Sequence, residues 1–491
     1  MPRPRIARLQ GGLAKLGRGH GFDVRRLLDL QGAHGPSRCE LNAVDVVAFI
    51  NKHAEWLSAT DLGVCVVGSQ ALAAACQRDG VDGPIPDDVD LAWSLDCDQG
   101  KRLLEQYGCF VPTTTGNIER GTVAAKIGDR RIELTRFRAG DPSAPLQDRI
   151  LADLSERDMT IGAIAVEVAS GAVHDPFRGV DHYRARRIVP VGDPAARVRE
   201  HGIRWLRYFR KAHEHGFSVD ASIRGLKRQL DPSLLLELPK EAVALEVRAA
   251  VSKTASPGRC LLDLHEAGLL AIISEPLARQ FDGRQAGPQQ WHPEVSQALH
   301  VILALEWAVT HSADMNDRDR IATLFAVLCH DLGKSDTPAH ELPHHRGHEG
   351  AGVPHIEALQ ARWPGLIDQR TATLCKHVAA LHLQLRCFDE LRSGTMAKLY
   401  DLYFRASDYP LEPFAVAVAA DAAGRLGCGP QGEQVRDKVL KDLTLLREAG
   451  GGVDAAALRQ KYPDDLETFR AQLHEARARA IEAARRANSR R

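Results

Sequence analysis

Two stretches of this chain hold residues whose types and spacing suit phosphate chemistry. The first is an apolar run at residues 64–67, then Gly68-Ser69, an Ala-rich segment from Ala71, and Asp88-Val89-Asp90 opening a second apolar run. If residues 89–93 form a strand, side chains at i and i+2 share a face, so Asp88 and Asp90 converge. Convergent carboxylates hold Mg²⁺ ions that clamp the attacking and leaving oxygens of a phosphoryl transfer. A Gly-Ser turn ahead of a helix offers backbone N–H groups and a hydroxyl to phosphate oxygens. Glu133, in the β-like run 131–137, is placed as a third carboxylate facing the pair.

The second stretch is rich in histidine. Eleven of the 21 histidines lie between His292 and His382. Imidazole in such density points to metal ligation or proton transfer. His330-Asp331 closes the apolar run 321–329 and leads into Leu332-Gly333-Lys334; His300 lies before it and Asp421 well after it. Imidazole with carboxylate is a borderline-hard donor set for Mg, Mn, Fe, Co, Ni or Zn. His344, His345, His348 and His382 are available as further ligands or substrate contacts. A metal held there makes hydroxide available near neutral pH. Lys334, a neighbouring His or Arg346 would then offset the charge of a reacting phosphate.

The elements that must carry these residues change character along the chain. Strand-like runs at 64–67, 89–93, 122–127, 131–137 and 161–168 alternate with helical segments up to about residue 180. Beyond Asp193-Pro194 the periodicity is helical to the end. The expected fold is an α+β head, a small mixed sheet with helices, followed by an all-α neck, body and tail. The expected divisions are an N-terminal extension at 1–45, a head at 46–182, a helical neck and body at 183–285, a second catalytic domain at 286–445 and a basic helical end at 446–491.

Charge narrows the partners. Lys and Arg number 64 against 64 Asp and Glu, which excludes a surface that grips nucleic acid everywhere. Residues 183–230, however, hold twelve basic residues against four acidic ones, a local patch suited to a nucleotide or RNA. No apolar run reaches membrane-spanning length, so no membrane partner is expected. Ten cysteines without a C-x-x-C pair, and a basic start with no apolar stretch after it, point to a cytoplasmic protein with reduced thiols.

Further motifs follow the paired acids in order. They are Asp153-Leu154-Ser155-Glu156-Arg157-Asp158-Met159-Thr160-Ile161, then Asp175-Pro176-Phe177-Arg178-Gly179, Val191-Gly192-Asp193-Pro194, and Glu200-His201-Gly202-Ile203-Arg204-Trp205-Leu206-Arg207. This series resembles the class II nucleotidyltransferases, the bacterial CCA-adding tRNA nucleotidyltransferases and their poly(A) polymerase relatives. The resemblance implies that Asp88 and Asp90 bind catalytic Mg²⁺ and that Gly68 and Ser69 lie beside the triphosphate. It also implies that Arg157 and Asp158 hold the nucleotide while His201, Arg204 and Arg207 meet base or phosphate. The implied substrates are ATP, with CTP as the second candidate, and the 3′ end of tRNA or another RNA.

Three positions depart from that family's pattern. Gly68-Ser69-Gln70-Ala71-Leu72-Ala73 stands for G-G-x-V-R-D, Gly162 for the Asn of T-I-N-A, and His201 for the Asp of E-D-x-x-R. An ionised carboxylate only accepts hydrogen bonds, whereas neutral imidazole offers one donor and one acceptor, so reading of the C and A amines should change.

The histidine-rich stretch resembles the HD phosphohydrolase superfamily, whose pattern is a lone His, a His-Asp doublet and a distal Asp. The resemblance implies His300, His330, Asp331 and Asp421 as ligands of Ni, Mn, Co or Mg. With Trp291-His292-Pro293-Glu294 and the run from Pro343 to Gly352, it extends to the tails of bacterial multifunctional CCA proteins, implying phosphatase, 2′-nucleotidase and 2′,3′-cyclic phosphodiesterase activity. Two readings follow: an RNA nucleotidyltransferase with an HD tail, or chiefly an HD phosphohydrolase whose head has lost ordered CCA addition.

Overall fold

The computed structural model describes residues 46–85, 89–112, 121–406 and 408–489. Asp88 and the 1–45 extension lie outside the described residues. Contacts divide the chain into two compact units, one ending at Leu234 and the other running from Leu235. The division falls within the 183–285 segment.

The first unit is built on a six-stranded sheet of order β3-β4-β2-β1-β5-β6. Its strands are β1 (Cys65–Val67), β2 (Val89–Trp93), β3 (Thr122–Ile127), β4 (Arg130–Arg136), β5 (Ala165–Glu167) and β6 (Val173–His174). β2 and β4 run parallel and the other pairs antiparallel, so the sheet is mixed. Cys65, Val67, Ala92, Ile150, Leu154, Ala163 and Ala165 form a buried cluster that joins the sheet to helix α2 (Leu146–Ser155). Helix α1 (Gly68–Arg78) follows β1 without a loop.

The strand expected over 161–168 is confined to β5. Residues Thr160–Gly162 form a 3₁₀ turn instead. Arg157 Nη1 donates to the Gly162 carbonyl, and the Thr160 hydroxyl bonds His182 Nδ1 at 2.9 Å, so side chains claim this segment before the ladder can. Two short strands absent from the sequence reading, Arg187–Ile188 and Ser218–Val219, pair in parallel beside helices α3 (Pro194–Glu200) and α4 (Ile203–His215).

The second unit is mostly helical. Helices α5 (Gln297–His311), α6 (Asp317–Cys329), α7 (His348–Arg362), α8 (Gln369–Arg386), α9 (Leu411–Ala423) and α10 (Gly429–Gly451) make its core. α6 starts where Asn316 accepts from the Asp319 N–H, with Asp317 and Asp319 favourably placed at the positive end of the helix dipole. α9 is buried at every residue except Glu412 and is built largely from Ala and Val, which lets α5, α6 and α10 approach it closely. No described helix is long and apolar enough to cross a membrane.

Candidate active sites

In the head, strand register sets the geometry. Asp90 lies opposite Val67 of β1 and beside Glu133 of β4, so the two carboxylates share one face of the sheet. Gly68 has φ +69°, and a Cβ there would stand 2.9 Å from Asp90 Oδ2. Only glycine tolerates both the backbone and that approach. Gly68 and Ser69 form the first turn of α1, whose N–H groups suit an anion. Glu133 is half exposed and accepts from Arg131 Nη2 at 3.0 Å.

The arginines expected to hold the nucleotide fall into two groups. Arg157 donates Nε and Nη2 to Asp153 Oδ2 at 3.1 and 2.9 Å, with both side chains nearly buried. Arg204 donates Nη1 to Glu200 Oε2 at 2.6 Å and Nη2 to the Glu156 carbonyl at 2.7 Å. It also reaches the Arg197 carbonyl. These two side chains are therefore tied to protein and brace the turn between α2 and the 3₁₀ segment. The more open pair is Arg207 with Asp158, joined at 3.1 Å, and the Tyr208 hydroxyl donates to the Asp158 carbonyl. His201 caps the end of α3 and is exposed.

Sequence reasoning placed Asp153 in a motif but gave it no role; it is buried and accepts from the Arg138 backbone N–H as well as from Arg157. Its signal was an i,i+4 Asp–Arg pair across the end of a helix. Asp153→Ala would take the counter-charge from a nearly buried guanidinium and leave it only the Gly162 carbonyl, and loss of one partner of such a pair costs about 3–5 kcal/mol. In urea, the unfolding transition of the first unit is expected to fall by that amount while that of the second stays in place.

In the second unit six side chains converge. His300 comes from α5, His330 and Asp331 from the end of α6, His348 from the start of α7, His382 from α8 and Asp421 from α9. All six are buried. His300 Nε2 lies 3.3 Å from His330 Nε2, 3.4 Å from Asp421 Oδ1 and 3.6 Å from Asp331 Oδ2. The other Asp331 oxygen, Oδ1, lies 3.4 Å from His348 Nε2 and 4.0 Å from His382 Nε2. Asp331 thus stands between two potential ligand sets, His300–His330–Asp421 on one side and His348–His382, which it completes, on the other.

The donor chemistry fits a divalent cation. His330 Nδ1 is 2.6 Å from the Val327 carbonyl, His348 Nδ1 is 2.6 Å from the His345 carbonyl, and His382 Nδ1 is 3.0 Å from the Ala379 carbonyl. His300 Nδ1 faces Glu294 Oε1 at 3.1 Å. The Nδ1 atoms of His330, His348 and His382 are thus engaged by backbone carbonyls, which leaves their Nε2 lone pairs aimed inward, as outer partners do for metal-binding histidines. Ligand atoms about 2.1 Å from one ion stand roughly 3–3.4 Å apart, the separation of the tightest pairs here.

Burial opposes charge on His300, but its hydrogen bonds to the Asp421 and Glu294 carboxylates, and their negative charge, outweigh it and raise its pKa to about 9. Burial would push the carboxyls of Asp331 and Asp421 up, yet the neighbouring His330 and Lys334, and His300 and Arg386, hold both well below the usual range. Burial keeps His382 neutral, with a pKa of about 4.

Close packing makes the convergence possible. A Cβ on Gly333 would stand 2.0 Å from the His348 carbonyl, so the glycine after His330-Asp331-Leu332 is what lets α7 reach Asp331. A Cβ on Gly424 would meet Ala304 and the His300 carbonyl at 2.9 Å. Lys334 is buried and spends its ammonium on protein: Asp331 Oδ2 at 2.7 Å, the Ala286 carbonyl at 2.8 Å and Gln297 Oε1 at 3.4 Å. It positions Asp331. Sequence reasoning did not single out Glu294 as the partner of His300, or Arg386, which pairs with Asp421 Oδ2 at 2.9 Å. Glu294 closes the Trp291-His292-Pro293-Glu294 motif, but nothing in that motif says which imidazole it meets, and Arg386 lies in no pattern that marks it apart from an ordinary charged residue.

The fold these observations define is a mixed-sheet α+β head followed by a mostly helical body. Residues 72–189 match the family described as the Poly A polymerase head domain. The chain is similar to the Bacillus stearothermophilus CCA-adding enzyme in complex with CTP, at 19% identity and TM-score 0.57 over 89% of this chain and 92% of that one. A CCA-adding enzyme in complex with ATP matches at 13% identity and TM-score 0.57, covering 90% and 91% of the two chains. A tRNA-processing enzyme in an apo form matches at 17% identity and TM-score 0.52, covering 91% and 99%. At these identities the likeness is one of fold.

Proposed function

We propose that the first unit is an RNA nucleotidyltransferase acting on tRNA 3′ ends with ATP and CTP, and that the second is a metal-dependent phosphohydrolase. The observation that carries the first part is the register that sets Asp90 beside Glu133 and against Gly68. In this reading the RNA 3′-hydroxyl attacks the α-phosphorus and pyrophosphate leaves. Mg²⁺ held by Asp90, with Asp88 as its expected partner, supplies charge neutralisation at the reacting oxygens. The first turn of α1 receives phosphate oxygens, and the Asp158–Arg207 pair with exposed His201 lies where base or ribose is read. Arg157 and Arg204 act through the backbone they brace. The similar structures that carry CTP or ATP in their names support these substrates.

For the second unit the carrying observation is Asp331 set between two histidine-rich ligand sets. Ni, Mn, Co or Mg would be held by His300, His330, Asp331 and Asp421, with His348 and His382 completing a second position. The metal supplies hydroxide at neutral pH and Lewis acidity toward a phosphoryl oxygen. The expected divisions of the chain, with the HD domain at 286–445, accompany this reading.

One observation favours a second reading, in which hydrolysis is the main activity. Position 201 presents an exposed imidazole, one donor and one acceptor, where a purely accepting templating carboxylate is expected, so reading of the base amines is altered. The test is incubation with Mg²⁺, each α-labelled triphosphate in turn, and tRNA ending before, within or after CCA. Addition of C, C and then A supports the first reading. Addition without order makes the head a relaxed polymerase, and no addition with retained phosphate release establishes the second.

A further inference from the structure

A small cavity of about 120 Å³ opens beside the second centre, bounded by Asp331, His348, His382 and Asp421 on one side and by Gly287-Pro288, Pro343 and Leu383 on others. That is room for several waters or for a phosphoryl group. A phosphate entering there brings negative charge to a site that already holds two buried carboxylates. Some cation must offset it.

The lining offers Lys334, His292, His345 and Arg425. Lys334 is committed to Asp331, Ala286 and Gln297. His345 has both ring nitrogens occupied, by the Thr337 hydroxyl at 2.9 Å and the Gln285 carbonyl at 2.8 Å, and burial lowers its pKa to about 4. His292 is tied to Glu294 at 2.7 Å. Arg346, a candidate from sequence, is exposed and does not line the cavity. Arg386 is spent on Asp421.

Arg425 differs from all of these. Its side chain makes no hydrogen bond or ion pair with any described residue, and its Nε is buried without a partner. A desolvated guanidinium N–H left unpaired is unfavourable unless a ligand acceptor completes it. Arg425 lies just past the C-cap of α9, four residues after Asp421, and both side chains line the cavity. Gly424, pressed against α5, holds that helix end at the centre.

We propose that Arg425 is the residue that grips the substrate's terminal phosphate at the second centre, a proposal that rests on the phosphohydrolase reading. Its planar fork gives two parallel N–H donors to two phosphate oxygens, which a point charge does not.

The test uses the full chain loaded with Mn²⁺ or Ni²⁺ and titrated calorimetrically with inorganic phosphate. Arg425→Ala is expected to weaken phosphate binding by about 10- to 100-fold, the usual worth of charge-assisted hydrogen bonds. Metal content and affinity should stay at wild-type values, because Arg425 bonds no ligand. Arg425→Lys should recover only part of the loss. Phosphate binding by Arg425→Ala within twofold of wild type, with metal bound, overturns the proposal and leaves the phosphohydrolase reading standing. A wild-type chain that binds no divalent metal overturns both.

Discussion

Asp331→Ala is expected to strip the second unit of metal and to abolish its phosphate release. The reason is position. One oxygen of Asp331 faces His300 and His330, and the other faces His348 and His382, so a single truncation removes a ligand from both sets. It also leaves the buried Lys334 ammonium without its 2.7 Å partner, so a second, shape-conserving variant, Asp331→Asn, separates loss of charge from loss of fold. Metal content measured after dialysis should fall from as many as two ions per chain to none in either variant. Retention of wild-type content would exclude Asp331 as a ligand.

The same centre sets a pH dependence. Metal must displace the proton that His300 keeps up to a pKa of about 9. Apparent affinity should therefore rise about tenfold per pH unit from neutral pH toward 9, and level off above it. Incorporation of nucleotide by the head should be indifferent to Asp331→Ala.

Asp90→Ala is expected to do the converse. Asp90 is the described member of the acidic pair, and its carboxylate packs on Gly68 at the start of α1. Losing several kcal/mol of charge stabilisation at the reacting phosphate, at about 1.4 kcal/mol per tenfold, predicts a fall in labelled nucleotide incorporation of at least about a thousandfold. Phosphate release from the second unit should persist. The residue is small and partly exposed, so the head should remain folded, which its urea midpoint would establish. Incorporation within tenfold of wild type would remove Asp90 from the chemistry.

Much of this was written in residue types and order. Asp90 and Glu133 were legible as carboxylates on strands because strand-forming runs are local, whereas their common face came from the β2–β4 register. His330-Asp331-Leu332-Gly333-Lys334 was legible because adjacent imidazole and carboxylate at the end of an apolar helix have few uses other than a metal or a proton. The mixed sheet and the helical remainder followed from the change in periodicity near Asp193-Pro194.

Other features depended on contacts made across the chain. The tasks of Lys334, Arg157 and Arg204, and the open state of Arg425, were decided by which acceptors tertiary packing brought within reach. An arginine or lysine carries the same charge whether it meets a substrate or a buried carbonyl, and sequence distance does not say which. Asp331 and His382 are separated by an entire helix and a half in sequence yet come within 4.0 Å, because Gly333 and the small residues of α9 allow the helices to close. By itself the sequence determined the local periodicities and the kinds of donor this protein carries. Only the tertiary structure decided which donors meet each other and which still face a cavity, since non-local packing selects partners that local patterns cannot encode.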